Sequence, residues 1–196
     1  MDIREVLGKR RLFLDGGTGT SLQKMGLKAG ERPETWNLLH PERIEALHRA
    51  YLDAGADVIY TNTFGANRLK YPADGEFALE DIVKSAVDIA KRAQIACGRE
   101  GDSWVALDIG PSGKLLKPLG DLNFEDAVSL FAEVVRCGAA AGADLVVVET
   151  MGDSYELKAA VLAAKENSEL PVIATAAFDE RARLLTGGTP EAVTAL

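Results

Sequence analysis

The chain has 196 residues, of which 47% are hydrophobic, and this is enough to bury one sizeable core. Its formal net charge of -8 and its pI of about 4.9 argue against nucleic acid or an anionic membrane as a partner, because both require a local basic surface. The amino terminus lacks the apolar stretch of a signal peptide and no segment is apolar enough to cross a bilayer, so we expect a cytoplasmic protein.

The first predicted element lies in Arg11–Thr20, which reads RLFLDGGTGT. Three apolar residues lead directly into Asp15, as in a buried parallel strand that presents a polar group at its carboxyl end. That end is where open α/β sheets and β/α barrels hold their active sites. The glycines that follow either let backbone amides approach an anion such as a carboxylate or form a tight turn: Gly16, Gly17 and Gly19.

Hydrophobic patterning predicts that strands and helices alternate along the rest of the chain. The predicted strands are Asp57–Thr61, Ser103–Asp108, Asp144–Val148 and Val172–Ala177. The predicted helices are Pro41–Ala54, Ala78–Cys97, Phe124–Ala141 and Ser154–Glu166, and a fifth begins with Thr189 as N-cap and Pro190 in its first turn. Such alternation predicts a parallel sheet with right-handed crossovers.

An internal repeat supports this organisation. Ala54–Phe64 reads AGADVIYTNTF and Ala141–Met151 reads AGADLVVVETM. In each copy a glycine that ends a helix is followed by an aspartate, a buried run and then polar residues. The distance from Asp57 to Asp144 is 87 residues, which accommodates two β/α units of ordinary length.

The choice between a barrel and a doubly wound sheet depends on where the polar strand ends fall. Gly17-Thr18-Gly19 is similar to the start of a dinucleotide-binding fingerprint, but Leu22 occupies the third glycine position and no helix is predicted directly after it. A doubly wound sheet concentrates its polar residues at one switch point. Here polar residues follow all five predicted strands, which favours a barrel: Asp15, Asn62, Asp108, Glu149 and Asp179.

Length limits how much of a barrel this chain can form. A (β/α)8 TIM barrel takes about 250 residues, and the 196 residues present contain about five predicted strands and four to five helices. We therefore predict an α/β fold of the TIM-barrel family that is a partial barrel. In domain terms, residues 1–196 form the N-terminal portion of a barrel domain, without the C-terminal strands.

Three carboxylates are the first candidates for function. If their strands are neighbours, Asp15, Asp108 and Glu149 converge on one pocket. Unpaired buried carboxylates are so costly in free energy that we expect them to have a function there. Alternatively, each caps a loop or accepts hydrogen bonds from backbone N–H groups. No lysine lies at a strand tip, which disfavours a Schiff-base aldolase.

The segment after the second predicted strand offers three further candidates. It places an amide, a hydroxyl and an aromatic ring beside the same pocket, where they contact a small ligand or serve only the structure of the loop: Asn62, Thr63 and Phe64. By contrast, Cys97 and Cys137 lie in helical patterns and show no metal-binding or redox spacing. His40 and His48 are expected to be solvated or packing residues.

Four blocks of sequence carry a family resemblance. They are FLDGGTGTSLQKMG, ERPETWNLLHPERIEALHRAYLDAGADVIYTNTFGANR, DIGPSGKLLKPLGDL and GADLVVVETM, in that order from about residue 11 to the end of the chain. Together they resemble the homocysteine S-methyltransferase domain family. Within it, the chain most resembles the N-terminal homocysteine modules of cobalamin-dependent methionine synthases and is similar at longer range to betaine-homocysteine methyltransferases.

The resemblance implies a (β/α)8 barrel that binds homocysteine at the carboxyl ends of its strands. Asp15 and Glu149 match family acids that hold the amino group of the substrate, and Asp108 lies on a matching strand with a less defined role. The wall around the amino acid and its sulfur corresponds to the glycine stretch and the polar segment after the second strand: Gly16, Gly17, Asn62, Thr63 and Phe64.

The resemblance also implies cofactors, most of them held by other parts of the polypeptide. The family uses zinc bound by one cysteine after the sixth strand and a Cys-Cys pair after the eighth, positions that would lie after Leu196. We therefore expect this chain to hold no catalytic zinc and to be inactive alone. In a protein of the methionine synthase type, methylcobalamin would be the methyl donor, and cobalamin and folate modules would be partners within the same polypeptide.

Two other functions remain open on the residues alone. One is a barrel lyase or aldolase in which the three strand-end carboxylates hold Mg²⁺. The other is a non-catalytic module that binds a small amino acid or a partner chain. Because an incomplete barrel exposes apolar strand edges, we also expect the isolated chain to form a homodimer or to be poorly soluble.

Overall fold

A computed structural model describes residues 2–196 and shows an α/β fold built on one sheet of four parallel strands in the order β1-β2-β3-β4. The strands are β1 (Val58–Tyr60), β2 (Trp104–Ile109), β3 (Leu145–Met151) and β4 (Val172–Ala176). The helices are α1 (Thr18–Lys24), α2 (Trp36–Leu39), α3 (Pro41–Asp53), α4 (Leu79–Ala96), α5 (Phe124–Ala140), α6 (Ser154–Asn167) and α7 (Pro190–Ala195), with 3-10 turns at Ile3–Glu5 and Pro33–Thr35.

The five predicted helices are all present, with ends within one residue of those predicted wherever both ends were predicted. Gly55 and Gly142 follow α3 and α5 with φ values of 101° and 92°, which glycine adopts without the steric cost that a side chain would add. Thr189 caps α7 by accepting a hydrogen bond from the Ala192 N–H. Among residues 2–196, no helix combines the length and the hydropathy that a membrane span requires.

The first predicted strand is the main correction to the predicted fold. In place of a strand, this segment forms one isolated parallel bridge, between Leu14 and Val58, and Phe13 and Leu14 are 63% and 46% exposed rather than buried. The segment pairs with β1 on one side alone, so the apolar run has no second neighbour to cover it. A partial barrel is confirmed, but with four strands and one bridged segment instead of five strands.

A second correction concerns the residues after Gly17. No helix was expected there, yet α1 begins directly after this glycine, which is its N-cap residue. Leu22 is fully buried in a small cluster with Trp36, Ile44 and other apolar residues. The burial of this one side chain against α3 is what anchors the short helix, a tertiary contact that local periodicity does not reveal.

The sheet separates two apolar layers because successive strand residues point to opposite faces. On one face, Val58, Trp104 and Leu145 form an apolar cluster that also includes Ile3. The other packs against the helices in a large cluster. There α5 lies very close to β2, since a Cβ placed on Gly138 would come within 2.5 Å of Leu107 Cδ2.

The aspartates of the internal repeat have the same structural role. Asp57 accepts the Phe13 N–H at 2.8 Å, and Asp144 accepts the Val105 N–H at 2.7 Å. Each carboxylate also receives a cation, from Arg10 and Lys91 respectively. Asp57 therefore joins β1 to the bridged first segment, and Asp144 joins β3 to β2, both at the amino end of the sheet.

His48 on α3 is a packing residue, as expected, and its surroundings are unusual. The side chain is fully buried, and neither ring nitrogen has a hydrogen-bond partner within residues 2–196. Burial lowers the pKa of His48 to about 4, because the charged imidazolium is disfavoured away from water. The neutral ring is therefore the form that the fold accepts.

We expect His48→Leu to stabilise the fold, with a gain that grows as the pH falls. The folded-state pKa lies below the unfolded value of 6.5, so the unfolded chain takes up a proton first and stability is lost between pH 6.5 and about 4. At about pH 5 the wild type should have lost about 2 kcal/mol of its free energy of unfolding in this way, and the variant should not show this loss. Urea unfolding at about pH 7.5 and pH 5 measures this, and an equal gain at both values would contradict it.

Candidate functional site

A cavity of about 590 Å³ lies at the carboxyl end of the sheet. The strands are parallel, so their carboxyl ends meet at one edge and bring together residues that are far apart in sequence. Most of the residues predicted for the site line this cavity: Asp15, Gly16, Gly17, Asn62, Phe64, Asp108 and Glu149. Thr63, the remaining one, is buried beside it and is not part of the lining.

Asp15 follows the bridged first segment. Its Oδ2 accepts the Tyr60 N–H at 2.8 Å, which fixes the carboxyl group against β1. Burial raises the pKa of Asp15 to about 7, and the negative charge of Glu149 adds to this shift while the Tyr60 hydrogen bond opposes it. A carboxyl group with such a pKa exchanges its proton near neutral pH.

Asp108 is the most buried of the three acids, with 5% of its surface exposed. Its Oδ1 has no hydrogen-bond partner within the described part of the chain. Burial raises the pKa of Asp108 well above its ordinary value, and the charges of Glu149, Asp15 and Glu34 raise it further. An unpaired buried acceptor beside a cavity is a costly arrangement that a donor on a bound ligand would relieve.

Glu149 lies near the end of β3 and is partly buried, and burial raises its pKa. Three carboxyl groups that share one cavity in this way disfavour each other's ionised forms. A positively charged group with several N–H donors, such as a primary ammonium, would satisfy them together. The cavity therefore has an acidic wall made by Asp15, Asp108 and Glu149.

The segment after β1 is fixed by side-chain hydrogen bonds. Asn62 Nδ2 donates to Pro33 O at 2.8 Å and to Asn37 Oδ1 at 2.9 Å. Thr63 Oγ1 donates to the backbone oxygen of Asp108 at 2.7 Å, which ties this segment to the end of β2. This hydrogen bond gives Thr63 a role in the structure of the loop.

Phe64 forms an apolar part of the wall and is 42% exposed. Its carbonyl oxygen accepts the Gly110 N–H at 2.9 Å. A Cβ on Gly110 would lie 2.6 Å from both the ring and the carbonyl oxygen of Phe64, so only glycine permits this approach. The aromatic wall thus depends on a glycine in the segment after β2.

Glu34 is a cavity residue that the sequence pattern did not indicate. It is buried in the Pro33–Thr35 turn, where its Oε1 accepts the Gly65 N–H at 2.7 Å and its Oε2 accepts the Tyr71 hydroxyl at 3.0 Å. The only sequence signal is an acid directly after a proline in an otherwise irregular stretch. Gly19, the third glycine of the predicted stretch, also lines the cavity, together with residues that were not predicted: Leu14, Thr18, Thr20, Pro33, Tyr60 and Thr175.

Within residues 2–196, no three side chains of His, Cys, Asp or Glu are arranged to hold a metal ion. Cys97 follows α4 and Cys137 lies in α5; both thiols are free, and neither lines the cavity. Burial raises the pKa of each thiol, which disfavours the thiolate form that would bind zinc. The three strand-end carboxylates, too, are not arranged as a metal site within the described part of the chain.

Comparisons with known proteins agree with this architecture. The fold matches the homocysteine methyltransferase MmuM from Escherichia coli in its oxidised form with a TM-score of 0.86 and 22% identity, over 99% of this chain and 72% of that one. The metallated form of MmuM matches with a TM-score of 0.83 and 21% identity, over 98% of this chain and 72% of that one. At these identities the likeness concerns the fold.

Two curated relatives are methionine synthases. The one from Mycobacterium tuberculosis is 31% identical over 200 residues, which cover 95% of this chain and 17% of that protein. The one from Mycobacterium leprae is 32% identical over 178 residues, which cover 84% of this chain and 14% of that protein. The chain thus spans about a sixth of the length of these relatives.

The family comparison covers nearly the whole chain. The sequence profile of the family described as "Homocysteine S-methyltransferase" matches residues 12–196, a range that contains all the predicted site residues and every strand of the sheet. The chain therefore belongs to the homocysteine S-methyltransferase family.

Proposed function

We propose that this chain is the homocysteine-binding, N-terminal portion of a methionine synthase-type methyltransferase domain. The observation that carries the proposal is the convergence of Asp15, Asp108 and Glu149 on one cavity, with Asp108 Oδ1 unpaired among the described residues. Membership of the family and the two methionine synthase relatives support the choice of homocysteine over other amino acids. The cavity volume of about 590 Å³ is ample for a ligand of this size.

In this proposal the acidic wall holds the α-ammonium group of homocysteine. Asp15 and Glu149 accept two of its N–H bonds, and Asp108 supplies a third acceptor. The Gly16-Gly17 stretch allows backbone amides to approach the α-carboxylate, and Phe64 covers the apolar part of the ligand. Asn62 and Thr63 keep this wall in place through their hydrogen bonds to neighbouring segments.

The reaction would transfer a methyl group to the homocysteine sulfur. A new carbon-sulfur bond forms, the bond between the methyl group and its donor breaks, and the thiol loses its proton. Since a free thiol has a pKa of about 8.5, only a small fraction is thiolate at neutral pH. In this proposal the contribution of the chain is to bind and orient the amino acid.

The cofactors of the whole protein are part of the same proposal. We infer that zinc activates the thiol, with cysteine ligands outside these 196 residues, and the metallated form of MmuM supports the use of a metal in this fold. Methylcobalamin is the methyl donor that a methionine synthase-type protein would use, with cobalamin and folate modules as partners. We also propose that the protein is cytoplasmic.

The test is calorimetry with three ligands at about pH 8. Homocysteine should bind more tightly than 4-mercaptobutanoate, which is the same molecule without the amino group, by about tenfold or more. Serine, which keeps the amino acid group but lacks the longer side chain, should bind more weakly than homocysteine. Equal affinity for homocysteine and 4-mercaptobutanoate would contradict the proposed role of the acidic wall.

We further propose that isolated copies of the chain associate as a homodimer through their exposed edges. Apolar side chains are exposed beside the bridged first segment and beyond β4: Phe13, Leu14 and Phe178. Edges of this kind favour pairing with another chain. Light scattering should report the mass of a dimer or larger assemblies, and a compact monodisperse monomer would contradict the expectation.

A further inference from the structure

The strand that carries Glu149 is irregular at the point where it reaches the cavity. Val148 pairs with Ala174 and Met151 pairs with Ala176, so three steps along β3 match two along β4. Glu149 and Thr150 therefore lie opposite the single residue Thr175. This is the arrangement of a β-bulge, which re-aims side chains and often lies next to active sites.

Thr150 adopts a backbone conformation that is unfavourable for its type. Its φ is 57°, in the left-handed region, where a β-branched side chain is rarely found. Such strain persists only where surrounding contacts enforce it. The strained residue directly follows Glu149, so the backbone conformation of Thr150 affects the direction of the Glu149 side chain.

The contact that holds this conformation is a side-chain hydrogen bond. The Thr150 N–H donates to Thr175 Oγ1 at 2.9 Å, so a hydroxyl takes the place of a backbone acceptor at the bulge. The bulge also carries Met151 to the helix side of the sheet, where it is fully buried. Regular pairing resumes there, since the Ala177 N–H donates to the Met151 carbonyl.

Glu149 needs such support because burial in the cavity disfavours its charged form. The carboxyl groups of Asp15, Asp108 and Glu34 line the same cavity, and the Tyr60 ring lies among them. A partly buried carboxylate regains hydration when its side chain turns toward solvent. If the backbone at Thr150 were not fixed, the charged Glu149 side chain would have a lower free energy turned toward solvent than inside the cavity.

We propose that Thr175 is a positioning residue for Glu149: its hydroxyl holds the left-handed Thr150, and the resulting bulge keeps the Glu149 carboxylate in the cavity to receive the ligand's amino group. The second half of this statement rests on the proposed function. The first half concerns the free protein and is testable without any ligand.

The ligand test compares variants of Thr175 by calorimetry with homocysteine and 4-mercaptobutanoate. Thr175→Val keeps the shape and removes the acceptor, so it should weaken homocysteine binding about three- to tenfold and leave 4-mercaptobutanoate binding unchanged. Thr175→Ser keeps the hydroxyl and should restore affinity to within about twofold. The matched control is Thr194→Val, on α7 outside the cavity, which should change neither affinity.

A loss of affinity for both ligands with Thr175→Val would indicate general damage and overturn the positioning role, as would no loss for either ligand. If Thr175→Val does not fold, Thr175→Ala removes the same acceptor and takes its place. If the wild-type chain does not distinguish the two ligands, the proposed function fails, and the positioning role is then decided on the free protein.

The ligand-free measurement is the titration of the Glu149 carboxyl carbon by NMR. Burial in the cavity raises the pKa of Glu149, so a carboxyl group that turns outward should titrate closer to the ordinary value for glutamate. We expect this downward shift in Thr175→Val and its absence in Thr175→Ser. An unchanged Glu149 titration in folded Thr175→Val overturns the proposal, whatever the ligands do.

Discussion

Asp15→Asn is expected to weaken homocysteine binding about 10- to 100-fold at about pH 8, because a hydrogen bond between an ammonium and a carboxylate contributes about 1.5–3 kcal/mol. Asparagine has nearly the same shape, and its amide oxygen can still accept the Tyr60 N–H that Asp15 binds at 2.8 Å. The loss should therefore come from the missing charge and not from a rearranged wall. Calorimetry with the purified variant measures it.

The pH dependence of binding provides a second check on Asp15. In the empty cavity the pKa of Asp15 is raised to about 7, so below that pH the carboxyl group is neutral and must lose its proton to pair with an ammonium. Wild-type affinity should fall as the pH is lowered from about 8 to 6, and Asp15→Asn should show a weaker dependence. The control is Asp88→Asn on the exposed side of α4, which should bind as the wild type does. Wild-type affinity in Asp15→Asn would contradict the role given to this residue.

Phe131→Ala is expected to lower the free energy of unfolding by about 3–5 kcal/mol, the usual cost of removing a buried aromatic ring. Phe131 lies on α5, is 1% exposed, and belongs to the cluster between the helices and the sheet. Since a domain has a total stability of about 5–15 kcal/mol, this single change removes a large part of it. Urea unfolding followed by circular dichroism gives the difference.

Phe178→Ala is the matched control for this change. Phe178 follows β4 and is 37% exposed, so its truncation removes less buried surface and should cost under about 1 kcal/mol. Similar losses for the two variants would mean that the helix-side cluster is not the principal core. A small loss for Phe131→Ala alone would mean that its neighbours collapse into the space.

Much of the fold could be predicted from the sequence because the helices carry wide apolar faces and clear ends. The glycines after α3 and α5 and the Thr189 cap of α7 are local signals, and each appears in the structure at the predicted residue. The first strand was predicted wrongly for the opposite reason. An apolar run such as Leu12–Leu14 indicates burial, but whether it is covered depends on neighbours on both sides.

The acids of the candidate site could be predicted from the sequence, but the residues that hold them in position could not. Asp108 and Glu149 stand at the ends of apolar runs, where parallel strands direct polar groups to a common edge. Glu34 comes from an irregular turn and reaches the cavity only through tertiary structure, so no spacing in the sequence indicates it. The left-handed Thr150 is contrary to the preference of its own side chain, and a rule based on residue type would have excluded it.

The two repeat aspartates act at the edge of the sheet opposite the cavity. Asp57 and Asp144 bind backbone N–H groups where the strands begin, while the cavity acids stand where the strands finish. Protein engineering can use this division. Optimised charges near the strand starts should raise the melting temperature with little effect on ligand selectivity. Substitutions at the cavity rim should leave the hydrogen bonds of Asp57 and Asp144 in place. We therefore expect changes at the strand starts to act mainly on stability and changes at the cavity to act mainly on binding.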